Sequence, residues 1–463
     1  LDRRPRILSE PPELEARLGI EVYSTETPGV GGRIRQTPED FIVEEILTDG
    51  TMAKVDVSKV EEPGGLRGWG RHLLCIMVKR NRDTLITVRR IAEELNINWR
   101  MIHVAGIKDA RALTAQFITI STVKPELIPK LKVEGAIIRP LRFLDEAISQ
   151  RSLFGNHFHI TIRSIKLKPE AVRERINRTI QGLGKYGGLP NYFGHQRFGT
   201  VRPITHLIGS SIVKGDYETA VSLFLSYRGG SEDPATEEAR YLAGIGEYRK
   251  ALKLLPRHLS YEREVLRYLV KYPRDHLGAL MRLPVELRRL MVQAYQSYLY
   301  NRFLSRRMRE DVPLNKAQVG DYVVELDGCG LPTERSVKAS SGELQEINGE
   351  IAEHRMGVAI PLIGFRQGPS SGIQGEIERE ILESEEVKPE DFNIKDMRDA
   401  SAPGGLRPVL AQVMDFKVYR ISEDSLNPGR LMVELDFTLH RGVYGTILLR
   451  EVMKPMDLVG SGF

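Results

Sequence analysis

The sequence predicts an α+β protein in which a helix-rich module interrupts a sheet domain. Three observations predict it. Segments of the first third alternate apolar and polar residues at the strand period, with amphipathic helices between them. Two Gly/Pro-rich breaks, at 182–190 and 402–405, bracket a stretch that reads as helical up to about residue 308. Strand alternation then returns beyond the second break.

The elements follow in order. Residues 41–46 are short and β-rich. Leu74, Ile76 and Val78 alternate with Cys75, Met77 and Lys79, and Phe117 and Thr119 mark another strand. In 84–96, Leu85, Val88, Ala92 and Leu95 share a helical stripe that Asp83 or Thr84 can cap. Phe158, Ile160 and Ile162 alternate with His157, His159, Thr161 and Arg163, which leaves one polar, partly basic face. A second helix is expected at about 171–182. The clearest helix is 284–308, with Leu287, Met291, Ala294, Tyr298 and Asn301 near one face. Residues 318–364 read as short strands and turns, and the acid-rich 373–399 as surface helix and loop. Val433, Leu435, Phe437 and Leu439 alternate as a strand, and 444–453 reads as a closing helix.

Composition bounds the class. The chain has 463 residues, 41% hydrophobic and 28% charged. That length suggests roughly two to four domains. No apolar run reaches the roughly 18 residues of a membrane span. The opening LDRRPRILSE carries arginines and no apolar core, so no secretory signal is expected, and the missing initiator Met suggests a trimmed start. Cys75 and Cys329 form neither a disulfide framework nor a CxxC metal site, so a reducing cytosol is expected. An excess of 67 basic over 62 acidic residues gives +5, which permits a polyanionic partner without requiring one.

Several chemistries lack their motifs. There is no GxxxxGK[ST], and Gly29-Val30-Gly31-Gly32 does not complete GxGxxG. His157 and His159 share a strand face without further ligands, so solvated or substrate-facing histidines are the plainer reading than zinc. Gly368-Pro369-Ser370-Ser371-Gly372 fits GxSxG but follows no expected strand, so a flexible loop is preferred to a nucleophile elbow. No metal and no organic cofactor are expected.

Four segments could carry chemistry. The first is 105–116, with Lys108 and Asp109 on a turn at the mouth of the sheet. A carboxylate beside fixed cations stays ionised and can act as nucleophile or general base. A tight turn with a surface ion pair is the commoner outcome of such a sequence. The second is 32–45, either a basic strand, Pro turn and strand, or an arginine placed to pair with a buried carboxylate. The third is Pro190-Asn191-Tyr192-Phe193-Gly194-His195-Gln196-Arg197-Phe198-Gly199. Its aromatics and amides could stack on and bond unpaired bases, and interdomain packing would serve equally well. The fourth is 293–301, where Asn301 falls on the apolar face and a satisfied structural amide is favoured.

Together these segments resemble the TruD family of tRNA pseudouridine synthases, in particular its archaeal members. The AGxKDxxAxTxQ run at 105–116 and the NYFGxQRFG run at 191–199 carry the resemblance. RxxPEDF at 35–41, Gly-Asn-x-Phe at 155–158 and Gln-Ser-x-x-x-Asn at 296–301 agree in order and separation. The resemblance implies a pseudouridine synthase fold with a mixed, mainly antiparallel sheet. It places the catalytic domain at 1–186 and 405–463, with an inserted TRUD-type α/β domain at 187–404.

The resemblance also implies roles. Asp109 would be the catalytic aspartate and Arg35 the basic residue paired with it. Phe158 would stack on the target base with Asn156 beside it, and Phe41 would wall the pocket. Tyr444 falls where bacterial members have a Phe. Lys108, Asn191, Gln196, Arg197 and Asn301 complete the expected substrate contacts. The implied reaction isomerises uridine to pseudouridine, at uridine-13 in the D arm of tRNA. Asp109 would act at the ribosyl C1′, the 2′ hydrogen or uracil C6. A cytoplasmic monomer with tRNA as partner is expected. The alternatives are an RNA-binding protein or RNA chaperone without turnover, and a hydrolase using Ser370.

Overall fold

The computed structural model describes residues 10–56, 70–199, 202–229 and 232–463. The opening decapeptide, and with it the expectation of no secretory signal, falls almost wholly outside them. The strands are β1 (Phe41–Leu47), β2 (His72–Arg80), β3 (Ile102–Val104), β4 (Leu113–Ser121), β5 (Ala136–Leu144), β6 (Leu153–Ile165) and β7 (Leu189–Pro190). Then come β8 (Tyr322–Leu326), β9 (Pro332–Lys338), β10 (Met356–Leu362), β11 (Gly405–Pro408), β12 (Leu410–Ala411), β13 (Met414–Glu423) and β14 (Leu431–His440).

Among the described residues, eight strands form the main sheet, in the order β13-β14-β6-β1-β4-β2-β5, with β3 against β4. Only β1 and β4 run parallel, so the fold is α+β with a mixed, mainly antiparallel sheet. Alternation explains its faces. Phe41, Val43, Phe158, Ile160, Leu435 and Phe437 point into one core, under the helices Pro169–Tyr186 and Gly445–Met453. Val88, Ile91 and Ala92 of the helix Thr84–Leu95 pack with Leu73, Cys75 and Met77 of β2 into a second core. Asp83 caps that helix through the Ile86 N–H, and Asn96 ends it in the left-handed conformation.

The helical module is built on Val285–Arg309. Gly209 of the helix Thr205–Val213 lies so close to it that a Cβ would sit 2.0 Å from the Met291 carbonyl oxygen. This helix is buried well beyond the single expected stripe, because other helices and β10 surround it. A smaller sheet, β11-β10-β8-β9, completes the module, and β7 pairs with β12 where the chain crosses between the two parts.

The structure departs from the sequence reading in four places. The helix at 171–182 continues to Tyr186, because Val172, Ile176, Thr179 and Leu183 bury its face and offset the cost of Gly182 and Gly184. The break falls at Gly187 and Gly188, with φ of +86° and +151°. Gly405–Pro408 pairs with β10, so a boundary at 405 separates β11 from the smaller sheet it belongs to, and the chain rejoins the main sheet only at Met414. Leu344–Ala352 is a helix within a region read as strands and turns, with Ile347 and Ile351 one turn apart on its buried face. The acid-rich helix Gly372–Ser384 is not all surface: Ile377, Glu378, Ile381 and Leu382 are buried, as are Phe392 and Met397 beyond it.

Candidate active site

The register of the main sheet assembles the site. Parallel pairing of Ile42 with Leu113 sets the loop before β4 beside the start of β1. Antiparallel pairing sets Val43 opposite Phe158 and Glu45 opposite Asn156. The turn Pro38–Asp40 leads into β1, held by a bond from the Thr37 N–H to Asp40 Oδ2 (2.8 Å) and by Arg163 Nε donating to Asp40 Oδ1 (2.7 Å).

Just before that turn, Arg35 adopts a left-handed conformation, φ +55°. Its Nη2 donates to Asp109 Oδ2 at 2.7 Å and its Nη1 to the Gly462 carbonyl at 2.9 Å. The guanidinium lies 3.9 Å over the Phe41 ring. Burial presses the Arg35 pKa down, and the Asp109 charge pushes back, so the pair holds a guanidinium that is nearly enclosed. Asp109 keeps about a third of its side chain exposed (35%), so one partner is fixed while solvent still reaches the carboxylate. An arginine paired with a carboxylate is thus found, but it is the arginine that is buried, while the carboxylate, Asp109, is partly exposed.

The Asp109 loop is anchored by groups that sequence reasoning passed over. Lys79, fully buried on β2, donates to the carbonyls of Asp109 (2.8 Å), Arg82 (2.9 Å) and Lys108 (3.4 Å). Burial lowers its pKa to about 8, against the upward pull of Asp109 and Asp83. Gln116 Nε2 donates to the Gly106 carbonyl, and the Thr84 hydroxyl accepts from the Lys108 N–H. Lys108 itself reaches the buried Glu45 at 2.8 Å and donates to Asn156 Oδ1 at 2.8 Å. Glu45 Oε2 accepts from the Phe117 N–H. One signal for Lys79 and Glu45 was present: each is a charged residue at an inward position of an apolar strand.

The aromatic expectations need correction. Phe158 stacks on Phe437 (5.0 Å, 17°), and Phe41 meets it edge-on at 6.4 Å. A Cβ on Gly445 would lie 2.9 Å from the Phe158 ring. Phe158 is therefore 6% exposed, packed among Phe437, Phe41 and Gly445 rather than standing open to a base. Phe41 is likewise buried, beneath the Arg35 guanidinium.

The linker residues divide. Asn301 is fully buried: its Oδ1 accepts from the Phe193 N–H, and its Nδ2 donates to the Leu18 and Phe193 carbonyls. It has internal partners in place of the expected substrate surface, which matches the satisfied amide. Asn191 is buried too, bonded to the Pro408 carbonyl and to Arg407. Gln196, Arg197 and Tyr444 stay partly exposed where the module meets the helix Gly445–Met453. Gln196 accepts from the Thr446 hydroxyl (3.1 Å), and Tyr444 lies 6.1 Å from Phe193.

The remaining motifs find structural uses. His159 bonds Asp436 at 2.6 Å and His157 bonds Thr438 at 3.1 Å, on the sheet face opposite Phe158. Among the described residues no group of three His, Cys, Asp or Glu could hold a metal, and no helix is long and apolar enough to cross a membrane. Cys75 is buried, Cys329 is exposed, and both are free. Ser370 lies in the loop before the helix Gly372–Ser384. It is buried, and its N–H and hydroxyl both donate to Glu378.

The fold is thus a mixed, mainly antiparallel sheet with a helical insertion, and a loop aspartate at the sheet end pairs with an enclosed guanidinium. The family profile for tRNA pseudouridine synthase D (TruD) matches residues 17–452. The "Probable tRNA pseudouridine synthase D" of Methanosarcina acetivorans is 38% identical over 96% of this chain and 98% of its own. That of Methanopyrus kandleri is 38% identical over 83% and 86%. A crystal structure of a Methanosarcina mazei protein assigned as TruD superposes with a TM-score of 0.78 at 36% identity, covering 96% of this chain and 99% of that one. The chain belongs to the TruD family of tRNA pseudouridine synthases, which are isomerases.

Proposed function

We propose that this protein isomerises uridine to pseudouridine in tRNA, at uridine-13 of the D arm, with Asp109 as the catalytic carboxylate and Arg35 as the cation that fixes it. The reaction breaks the bond from N1 to C1′ and forms one from C5 to C1′. C5 loses a proton and N1 gains one, so nothing is oxidised and no cofactor is consumed. The observation that carries the reading is the 2.7 Å pair of Asp109 with an almost enclosed Arg35, on a loop pinned by Lys79 and Gln116. A carboxylate held on one side and solvent-accessible on the other is oriented for a reacting atom. The target nucleotide must leave its stack, at a cost of about a few kcal/mol. Phe158 is enclosed, so the everted base is read as approaching the exposed side of Asp109. The main sheet with its C-terminal strands forms the catalytic part, the helical module closes over the RNA, and the enzyme works as a cytoplasmic monomer.

The test is Asp109→Asn, incubated with unmodified tRNA and read by mass-tagging of pseudouridine. The variant is expected to fold and to bind tRNA yet form no pseudouridine. Turnover at the parent rate would refute the role of Asp109. A parent protein that binds tRNA and never modifies it would instead support an RNA-binding module.

A further inference from the structure

Two arginines without a carboxylate partner among the described residues stand together where the helical module meets the main sheet. Arg407, on β11, donates Nε to the Asn191 carbonyl (3.0 Å) and Nη2 to Asn191 Oδ1 (2.6 Å) and the Gly442 carbonyl (3.0 Å). Its guanidinium carbon stands 4.1 Å over the Phe193 ring. Arg197 approaches the same ring at 5.8 Å and donates to Ser297 Oγ (3.1 Å) and Gln293 Oε1 (3.3 Å). Every one of these acceptors is neutral. The buried Arg240, Arg307 and Arg450 differ, since each meets a carboxylate. Burial presses the pKa of both Arg197 and Arg407 down, and the like charge of Arg197 lowers that of Arg407 further, with tyrosines pulling the other way. Even so, guanidinium groups remain charged.

The neighbourhood adds a third positive element. Tyr444 occupies the position just before the helix Gly445–Met453, packs against Gly194 and lies 6.1 Å from Phe193. The helix N-terminus brings unpaired N–H groups and partial positive charge to the same corner. Its first residue, Gly445, touches Phe158. Tyr444, which neighbours the ring under the two arginines, thus directly precedes in the chain the glycine that touches Phe158. Planar guanidinium forks match phosphate oxygens, and a charge cluster of this kind is stabilised when an anion arrives.

We propose that Arg197 and Arg407 together hold a backbone phosphodiester of the RNA strand beside the nucleotide being isomerised. Arg407 comes from the inserted module and the helix N-terminus from the catalytic part, so one phosphate would tie the two parts around the strand. The proposal rests on the reading of the protein as an RNA uridine isomerase.

The test measures binding of an unmodified tRNA transcript as a function of salt, for the parent, Arg197→Met, Arg407→Met and Arg407→Lys. Each phosphate contact contributes roughly 0.7–0.9 to the slope of log affinity against log salt. Arg197→Met and Arg407→Met are each expected to lose up to that much slope and about tenfold in affinity near 0.1 M salt, with an unchanged unfolding midpoint for Arg197→Met. Arg407→Lys should keep the slope, because it keeps the charge. If Arg407→Met fails to fold, Arg197→Met and Arg407→Lys carry the test. Parent-like slopes in both Met variants, or in Arg197→Met alone should Arg407→Met not fold, overturn the proposal. The readout needs no turnover. An inactive parent with altered slopes in the variants would sink the isomerase reading, while an active parent with unaltered slopes would sink only the clamp.

Discussion

Lys108→Met is expected to destabilise the fold before it touches chemistry. The ammonium lies 2.8 Å from Glu45 Oε1, with 12% of the Lys108 side chain exposed and none of the Glu45 side chain. Removing it leaves a buried carboxylate whose remaining bond comes from the Phe117 N–H. Breaking a buried pair from one side costs about 3–5 kcal/mol. Asn156 Oδ1 also loses its donor, which adds about 1 kcal/mol. The double variant Lys108→Met/Glu45→Gln removes the stranded charge and keeps an acceptor for Phe117, so it should recover most of the loss. Urea unfolding of the parent, both single variants and the double variant measures this directly. A single variant within about 1 kcal/mol of the parent, or a double variant worse than Lys108→Met, would refute the reasoning. The loop also carries Asp109, so pseudouridine formation should fall in Lys108→Met and partly return in the double variant.

Two further outcomes follow from other groups. Arg35→Met removes a charge-assisted bond worth about 1.5–3 kcal/mol, so single-turnover pseudouridine formation should drop roughly 10- to 150-fold. An unchanged rate would detach Arg35 from the reaction. Glu378 is raised from the usual 4.5 to about 7, chiefly by burial. The folded state thus holds a proton that the unfolded chain releases, so its stabilising effect is complete below about pH 4.5 and is lost as pH rises towards 7. The size is on the order of 3 kcal/mol, and Glu378→Gln should abolish that part of the pH dependence of the unfolding free energy between pH 5 and 7.

Much of the site was legible because its residues lie in short, contiguous runs. Lys108 and Asp109 sit on one turn, and Arg35 precedes a Pro turn into a strand, so local rules place them at a sheet end. Lys79 and Glu45 were passed over because strand alternation marks only that a position faces inward. What a buried charge meets there comes from residues 29 and 63 positions away. The roles expected of Phe158 and Phe41 needed correction for a related reason. An aromatic in a motif can as well be the floor beneath a site as its exposed wall, and burial distinguishes the two.

The sequence by itself determined the α+β class, most of the elements and the aspartate-bearing loop, because side-chain period, caps and glycines act over a few residues. Tertiary structure decided which carboxylate Arg35 meets, that Lys108 neutralises Glu45, and that Arg197 and Arg407 share a corner without an acid. Those outcomes depend on strand register and on how the inserted module seats against the C-terminal helix. They arise from contacts between segments from about sixty to more than two hundred residues apart, where burial and Coulomb energy, not local propensity, set the arrangement.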